Sequence, residues 1–128
     1  MRAARDWFAQ NFKPASIEEM QQLAPQFSQE NAYVRMVTGY WEMVASLITS
    51  GVLNQELFFE AGGEMLFVWE RMRELVPQMR EFMKMPRMYH NLEIVGTAYA
   101  KWFDAQGPGA YATFQAMVKG GVSASARQ

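Results

Sequence analysis

The sequence contains no cysteine and one histidine, His90, among 128 residues. Without cysteine the chain has neither a disulfide framework nor a thiolate nucleophile, which is typical of a reducing compartment, so we expect a cytoplasmic protein. With one histidine, general acid–base catalysis would depend on carboxylates with raised pKa values. The sequence has no Gly-x-Ser-x-Gly elbow and no Gly-x-x-x-x-Gly-Lys phosphate loop. These absences favour, without requiring, a protein that is not an enzyme.

Strong charge and long apolar runs are also missing. The formal net charge is −1 and the basic residues are scattered, so no nucleic-acid-binding surface is indicated. No uncharged apolar run approaches the roughly 20 residues that span a bilayer. Residues 1–12 also lack the continuous apolar stretch of a secretory signal. We therefore expect neither nucleic acid nor a membrane among the partners of this chain.

Apolar side chains, by contrast, are abundant. Half of the residues are hydrophobic, 14% are aromatic and 11 are methionine. A chain of this length suits one domain, and folding would bury roughly two thirds of its unfolded surface. The composition predicts a single folded domain over residues 1–119, followed by a small polar tail over residues 120–128.

The most regular apolar pattern begins at Met65 and fills heptad positions a, d and e for three repeats. Its members are Met65, Val68, Trp69, Met72, Leu75, Val76, Met79, Phe82 and Met83. This wide stripe predicts a long central helix that other helices bury along one side. Pro77 falls on the opposite face, and an interior proline costs roughly 3 kcal/mol or more. Since the stripe keeps its register past Pro77, we predict one kinked helix rather than two helices.

Capping residues and helix breakers divide the rest of the chain. Ser16, Ser28 and Asn54 are predicted N-caps, and the glycines at 62 and 63 predict a bend or a break before the central helix. The helix that Ser28 opens covers residues 29–50, and its apolar side chains occupy about half of its circumference. Its other face is mostly small, so that face either admits a second helix at close range or is solvated. The whole pattern predicts an all-α bundle of five or six helices, centred on residues 29–50, 64–84 and 87–104.

A carboxylate-bridged metal centre is the enzyme hypothesis that the sequence offers, with Glu42, Glu70, His90 and Glu93 as candidate residues. Metal-binding bundles use Glu-x-x-His motifs that point into the bundle. Here the order is reversed, and the glutamates lie opposite the apolar stripes of their helices. The pattern therefore favours solvated or ion-paired side chains, and we predict no metal and no cofactor.

A series of arginines alternates with glutamates around the central helix: Arg71, Arg73, Arg80 and Arg87 with Glu70, Glu74 and Glu81. Opposite charges three or four residues apart form ordinary ion pairs on exposed helix surfaces. We predict a solvated ion-pair face, with an anion-binding site as the alternative.

Two functional hypotheses remain. The first is a non-enzymatic interaction protein, either a homodimer or the partner of another protein, since aromatics and methionine are enriched at interface cores. The predicted interface is the N-terminal helix with Trp7, Phe8 and Phe12, or else the Met-rich central helix. The alternative is a small-molecule-binding bundle, whose pocket would be lined by Trp41, Trp69, Met72, Tyr99 and Trp102.

Several short motifs follow one another along the chain: Arg5-Asp6-Trp7-Phe8, Tyr40-Trp41-Glu42, Gly51-Val52-Leu53, Trp69-Glu70, and then Pro86, Tyr89 and Glu93. In this order they resemble an uncharacterised family of bacterial helical proteins known as a domain of unknown function. The resemblance extends to about Phe103. Some members resemble a membrane-anchored layout with a hydrophobic helix ahead of this region, which this chain does not have. The resemblance implies an all-helical bacterial domain and implies no catalytic residues.

Overall fold

The structure is a computed structural model that describes residues 1–120. In this part of the chain every regular element is an α-helix, and there are eight: α1 (Arg2–Asn11), α2 (Ile17–Leu23), α3 (Gln29–Thr49), α4 (Gln55–Phe59), α5 (Gly63–Met72), α6 (Val76–Met83), α7 (His90–Gln106) and α8 (Ala110–Gly120). None of these helices is long and apolar enough to cross a membrane. The predicted all-α class is confirmed. The predicted tail lies outside the described residues except for Gly120.

The predicted count of five or six helices is wrong, partly because the central helix is broken rather than kinked. Pro77 has no N–H to donate to the Arg73 carbonyl, and its ring crowds that carbonyl. The Leu75 N–H instead bonds the Met72 carbonyl at 2.8 Å, three residues back. A new helix, α6, then begins at Val76 with Pro77 in its first turn, where a missing N–H costs no bond. Two helices therefore stand where one was expected.

Most of the predicted apolar stripe is nevertheless buried. Every member from Met65 to Met79 lies in the core, including Leu75 in the turn between α5 and α6. The stripe ends at Met79, because Phe82 is 64% exposed and Met83 is also exposed. The prediction that the whole stripe is buried is therefore wrong for the last turn of α6.

Around this core, α3 packs against α1 and α7, and α7 packs against α5 and α8. The contact between α5 and α7 requires Gly96, since a Cβ there would lie 2.5 Å from the Trp69 ring. Farther along α7, the buried Tyr99 hydroxyl donates to the Phe59 carbonyl at 2.7 Å. A glycine and a buried hydrogen bond thus fix how α7 sits on α5 and α4.

The N-terminus of α7 is held by a carboxylate from α3. Its N-cap, Tyr89, makes no capping bond with its own side chain. The Glu42 carboxylate instead accepts the backbone N–H groups of Asn91 at 3.3 Å and Leu92 at 2.8 Å, and the Asn91 side-chain amide at 2.9 Å. An anion at a helix N-terminus is favourable because it satisfies free N–H groups and complements the helix dipole.

Arg71 of α5 is buried, only 8% exposed, and it caps α1 from the side. Nη1 donates to the carbonyls of Phe12 at 2.8 Å and Phe8 at 3.2 Å, and Nη2 donates to Ala9 at 3.2 Å. Nε donates to the Val118 carbonyl of α8 at 3.3 Å. One guanidinium therefore ties α1, α5 and α8 together through four backbone carbonyls near the C-terminal ends of α1 and α8.

The predicted solvated ion-pair face is accordingly wrong for Arg71. Burial lowers the pKa of Arg71 to about 10, which leaves the side chain charged at neutral pH. It contacts carbonyls and, at 4.4 Å, the Phe67 ring rather than a carboxylate. Arg80 pairs with Glu93 of α7 at 2.8 Å rather than within its own helix.

The last helix, α8, is held to α5 by Glu70. The Tyr111 hydroxyl donates to the Glu70 carboxylate, and the Gln115 amide donates to the same group at 3.3 Å. Burial and then the neighbouring Glu70 carboxylate raise the pKa of Tyr111 to about 12.

Replacing Leu75 with alanine tests whether the turn between α5 and α6 is part of the core. We expect Leu75→Ala to lower the free energy of unfolding by about 2–5 kcal/mol, the usual cost for a buried leucine. Leu57→Ala is the matched control, because Leu57 is largely exposed, and it should change stability by less than about 0.5 kcal/mol. Urea unfolding measures both, and equal effects of the two variants would contradict the buried turn.

The raised pKa of Tyr111 predicts a pH-dependent contribution to stability. An unfolded tyrosine has a pKa of about 10, so the folded state favours the protonated hydroxyl. Its contribution is complete below about pH 10 and is lost as the pH rises toward the folded value of about 12. The difference in unfolding free energy between wild type and Tyr111→Phe should therefore stay constant from pH 7 to 10 and shrink above it. The titration of the other tyrosines contributes equally to both proteins and cancels in this difference. A difference in unfolding free energy that stays constant up to pH 11.5 would contradict the contact between Tyr111 and Glu70.

Candidate functional site

The outer face of α3 carries a row of exposed apolar side chains. Met36, Tyr40, Met43 and Leu47 are 37–50% exposed. They are spaced by four, three and four residues, which is the a and d spacing of a coiled-coil seam. The buried side of the same helix is formed by a different set: Val34, Val37, Thr38, Val44, Ala45 and Ile48. The single wide apolar arc predicted for α3 is thus two faces, of which the chain covers one.

The chain that follows α3 extends this exposed row. After the helix ends, the N–H groups of Val52 and Leu53 both bond the Leu47 carbonyl, at 2.9 and 3.0 Å. This turn brings two further exposed apolar side chains next to Leu47. We refer to Met36, Tyr40, Met43, Leu47, Val52 and Leu53 as the α3 surface.

Gly39 lies at the edge of the α3 surface, between Met36 and Tyr40 in the sequence, and has no packing partner among the described residues. It is exposed, and a Cβ built there would meet nothing within 4 Å. A glycine in a helix interior is about 1 kcal/mol less favourable than alanine. Gly62 and Gly96 differ, since a Cβ would strike the Phe58 ring at one and the Trp69 ring at the other. The described residues therefore explain those two glycines and leave Gly39 without a role in the folded chain.

Two of the charged groups near the α3 surface have partners within the chain, whereas the exposed Arg35 forms no ion pair among the described residues and donates to the Asn31 side chain at 3.0 Å. Arg5 of α1 binds Glu64 through two hydrogen bonds at 2.7 and 2.9 Å, and this pair raises the pKa of Arg5. On α3 itself, Glu42 is turned toward the N-terminus of α7. The apolar row is thus bordered by polar and charged groups, as the core of an interface is bounded by a polar rim.

The structure does not place the predicted N-terminal interface on the surface. Phe8 and Phe12 are buried in the chain's own core, with ring centroids 4.8 Å apart. Trp7 is half-buried and lies 6.1 Å from the Tyr33 ring. Phe8 and Phe12 therefore face the interior of this chain, and Trp7 keeps part of its surface exposed.

The five residues predicted to line a ligand pocket pack against the chain's own rings. Trp69, Met72 and Tyr99 are buried, while Trp41 and Trp102 are half-buried. The space around Tyr99 is filled by stacking on Phe59 at 4.4 Å and by contact with Trp102 at 5.9 Å. Two open cavities, one beside α5 and α8 and one between α7 and α8, are lined by none of the five. One buried polar atom in this part of the chain has no partner, the indole N–H of Trp41.

The residues of the metal hypothesis are dispersed. Glu42 caps α7, Glu70 accepts from Tyr111 and Gln115, and Glu93 pairs with Arg80. Within residues 1–120 no three histidine, aspartate or glutamate side chains lie close enough together to hold a metal ion.

Comparison with known proteins places the chain in a family. The family described as "Domain of unknown function (DUF4760)" matches residues 1–102. No curated protein and no solved structure matches the chain. The matched region contains all of α1 to α6, including the α3 surface, and most of α7. It also contains all the short motifs, from Arg5 to Glu93, on which the resemblance to an uncharacterised helical family was based. The chain therefore belongs to the DUF4760 family, a domain of unknown function.

Proposed function

We propose that this chain is a self-associating protein whose two copies pair through the α3 surface. The observation that supports this most directly is the uncharged, exposed a and d row on the longest helix. Four such residues cover about 16 Å of helix at 1.5 Å per residue. Contiguous apolar surface of this kind marks an interaction site on a soluble protein. Methionine and tyrosine are also residues enriched at interface cores.

The heptad spacing favours a helix as the binding partner of this surface. Residues at a and d form knobs that insert between four residues of a facing helix, and a matching row provides the holes. Small residues let two backbones approach closely, and Gly39 provides that opening beside Tyr40. A facing helix at Gly39 would give this residue the packing role that it lacks within the chain.

A second copy of this chain supplies the matching row. Most homodimers are two-fold symmetric, so the same patch must be complementary to itself. Met36 and Met43 lie three residues before and four residues after Gly39. An antiparallel pair centred near Gly39 therefore sets the Met36 of one copy opposite the Met43 of the other. A charge near a two-fold axis would meet its own copy, and the satisfied states of Arg5 and Glu42 reduce that repulsion.

The proposal predicts that one charge on the α3 surface abolishes association. Wild type should sediment as a dimer at micromolar concentration, and Met43→Glu should sediment as a monomer, because a carboxylate at a buried d position is costly to desolvate. The circular dichroism spectrum of the monomeric variant should remain that of a folded helical protein, since Met43 is exposed in the single chain.

Phe82→Glu is the matched control, because Phe82 is an exposed apolar residue that lies on α6, outside the α3 surface. It also belongs to the Met-rich central segment, which the sequence predicts as the alternative interface. This variant should leave the dimer intact. A wild-type monomer would contradict the proposal. Dissociation caused by Phe82→Glu and not by Met43→Glu would contradict it equally.

A further inference from the structure

A second feature is an open cavity of about 630 Å³ where α5 and α8 meet the segment that follows α1. Its charged lining consists of Lys13, Arg71, Arg73 and Lys119 with Glu70 and Glu74. The rest of the lining is largely apolar and includes Pro14, Leu75 and Val118. Its volume falls within the roughly 300–1,000 Å³ typical of small-molecule sites.

Among residues 1–120, the positive charges that line this cavity outnumber the negative charges. Four cationic side chains face two carboxylates, and one of these, Glu70, is already occupied by Tyr111 and Gln115. Glu74 approaches Arg73 at 3.8 Å, and both side chains are well exposed. Within residues 1–120, Lys13 and Lys119 form no salt bridge.

Arg71 adds a buried charge to one wall of the same cavity. Its hydrogen bonds all go to backbone carbonyls, so it has no carboxylate partner among the described residues. Buried charges are usually paired with an opposite charge. A cleft lined by charge of one sign in a low-dielectric wall concentrates ligands of the opposite sign.

We infer that this cavity binds a small organic anion, a molecule with one acidic head group and a short apolar body. Lys13 and Lys119, at the rim, contact the head group. The apolar body contacts the accessible apolar residues of the lining, Pro14, Ala15 and Ala116. The Arg71 guanidinium stabilises the bound negative charge from behind. The inference is independent of the α3 surface, because no residue of that surface lines the cavity.

Calorimetric titration of the full chain at low ionic strength tests the inference with three eight-carbon probes: octanoate, octyl phosphate and octan-1-ol. Either acid should bind at least about tenfold more tightly than the neutral alcohol, and the two head groups distinguish a carboxylate site from a phosphate site. The double variant Lys13→Gln, Lys119→Gln should weaken acid binding by about tenfold, the size expected for two exposed charge contacts.

The control is Arg87→Gln, Lys101→Gln, which removes the same total charge from two exposed residues outside the cavity. It should change affinity by less than about twofold, and Met43→Glu should bind as wild type does. All variants should keep the wild-type helical spectrum. Equal binding of acid and alcohol would overturn the inference, as would absence of binding at millimolar concentration or equal losses in the two double variants.

Discussion

The buried guanidinium of Arg71 is the interaction on which the rest of this structure depends. It is a full charge held in the interior by four carbonyl bonds and an aromatic ring. Removing it would break four hydrogen bonds to backbone carbonyls, at about 1–3 kcal/mol for each carbonyl that is left buried and unsatisfied. These bonds hold the C-terminal end of α1 against α5, and the rings of Phe8 and Phe12 at this end are buried in the core. The bonds also place Val118 of α8 at the edge of the anion cavity.

The position of α1 in turn determines which part of α3 is left uncovered. α1 and α7 both pack on α3, and they cover the residues from Val34 to Ile48 that belong to the core. The carboxylate of Glu42 draws α7 to α3 by capping its first turn. What remains is a strip of large apolar residues with a glycine at its edge, bordered by polar and charged groups. The exposed α3 surface and the contact between α3 and α7 are therefore consequences of the same packing.

Local chemistry was predictable from the sequence. The caps at Ser16, Ser28 and Asn54 accept the backbone bonds expected of them, and the stripe from Met65 to Met79 is core. The effect of Pro77 was only half predictable. Its cost could be estimated, but whether the chain bends or restarts depends on the alternative bonds that Leu75 finds. The role of Arg71 could not be predicted from spacing, because three of its acceptors lie about 60 positions earlier in the chain.

The sequence showed that the residues of the α3 surface are apolar, but it did not show whether they face the core or the solvent. Apolar residues around half of the helix are compatible with one wide face or with two. Only the placement of α1 and α7 shows that Tyr40 and Met43 are left outside while Val37 and Val44 are covered. The width of the apolar arc, about half of the helix circumference, was the one feature of the sequence that allowed for a second, uncovered apolar face.

The measurement that tests the account most directly is the dimer dissociation constant of Gly39→Ala from sedimentation equilibrium. Within one chain the added methyl enters open space and should raise helix stability by about 1 kcal/mol. In the dimer the added methyl should push the two α3 helices apart where their backbones are closest. The dissociation constant should therefore rise about tenfold or more. Gly63→Ala, at the start of α5 and equally open, should leave that constant unchanged. A Gly39→Ala protein that dimerises as tightly as wild type would contradict pairing through α3.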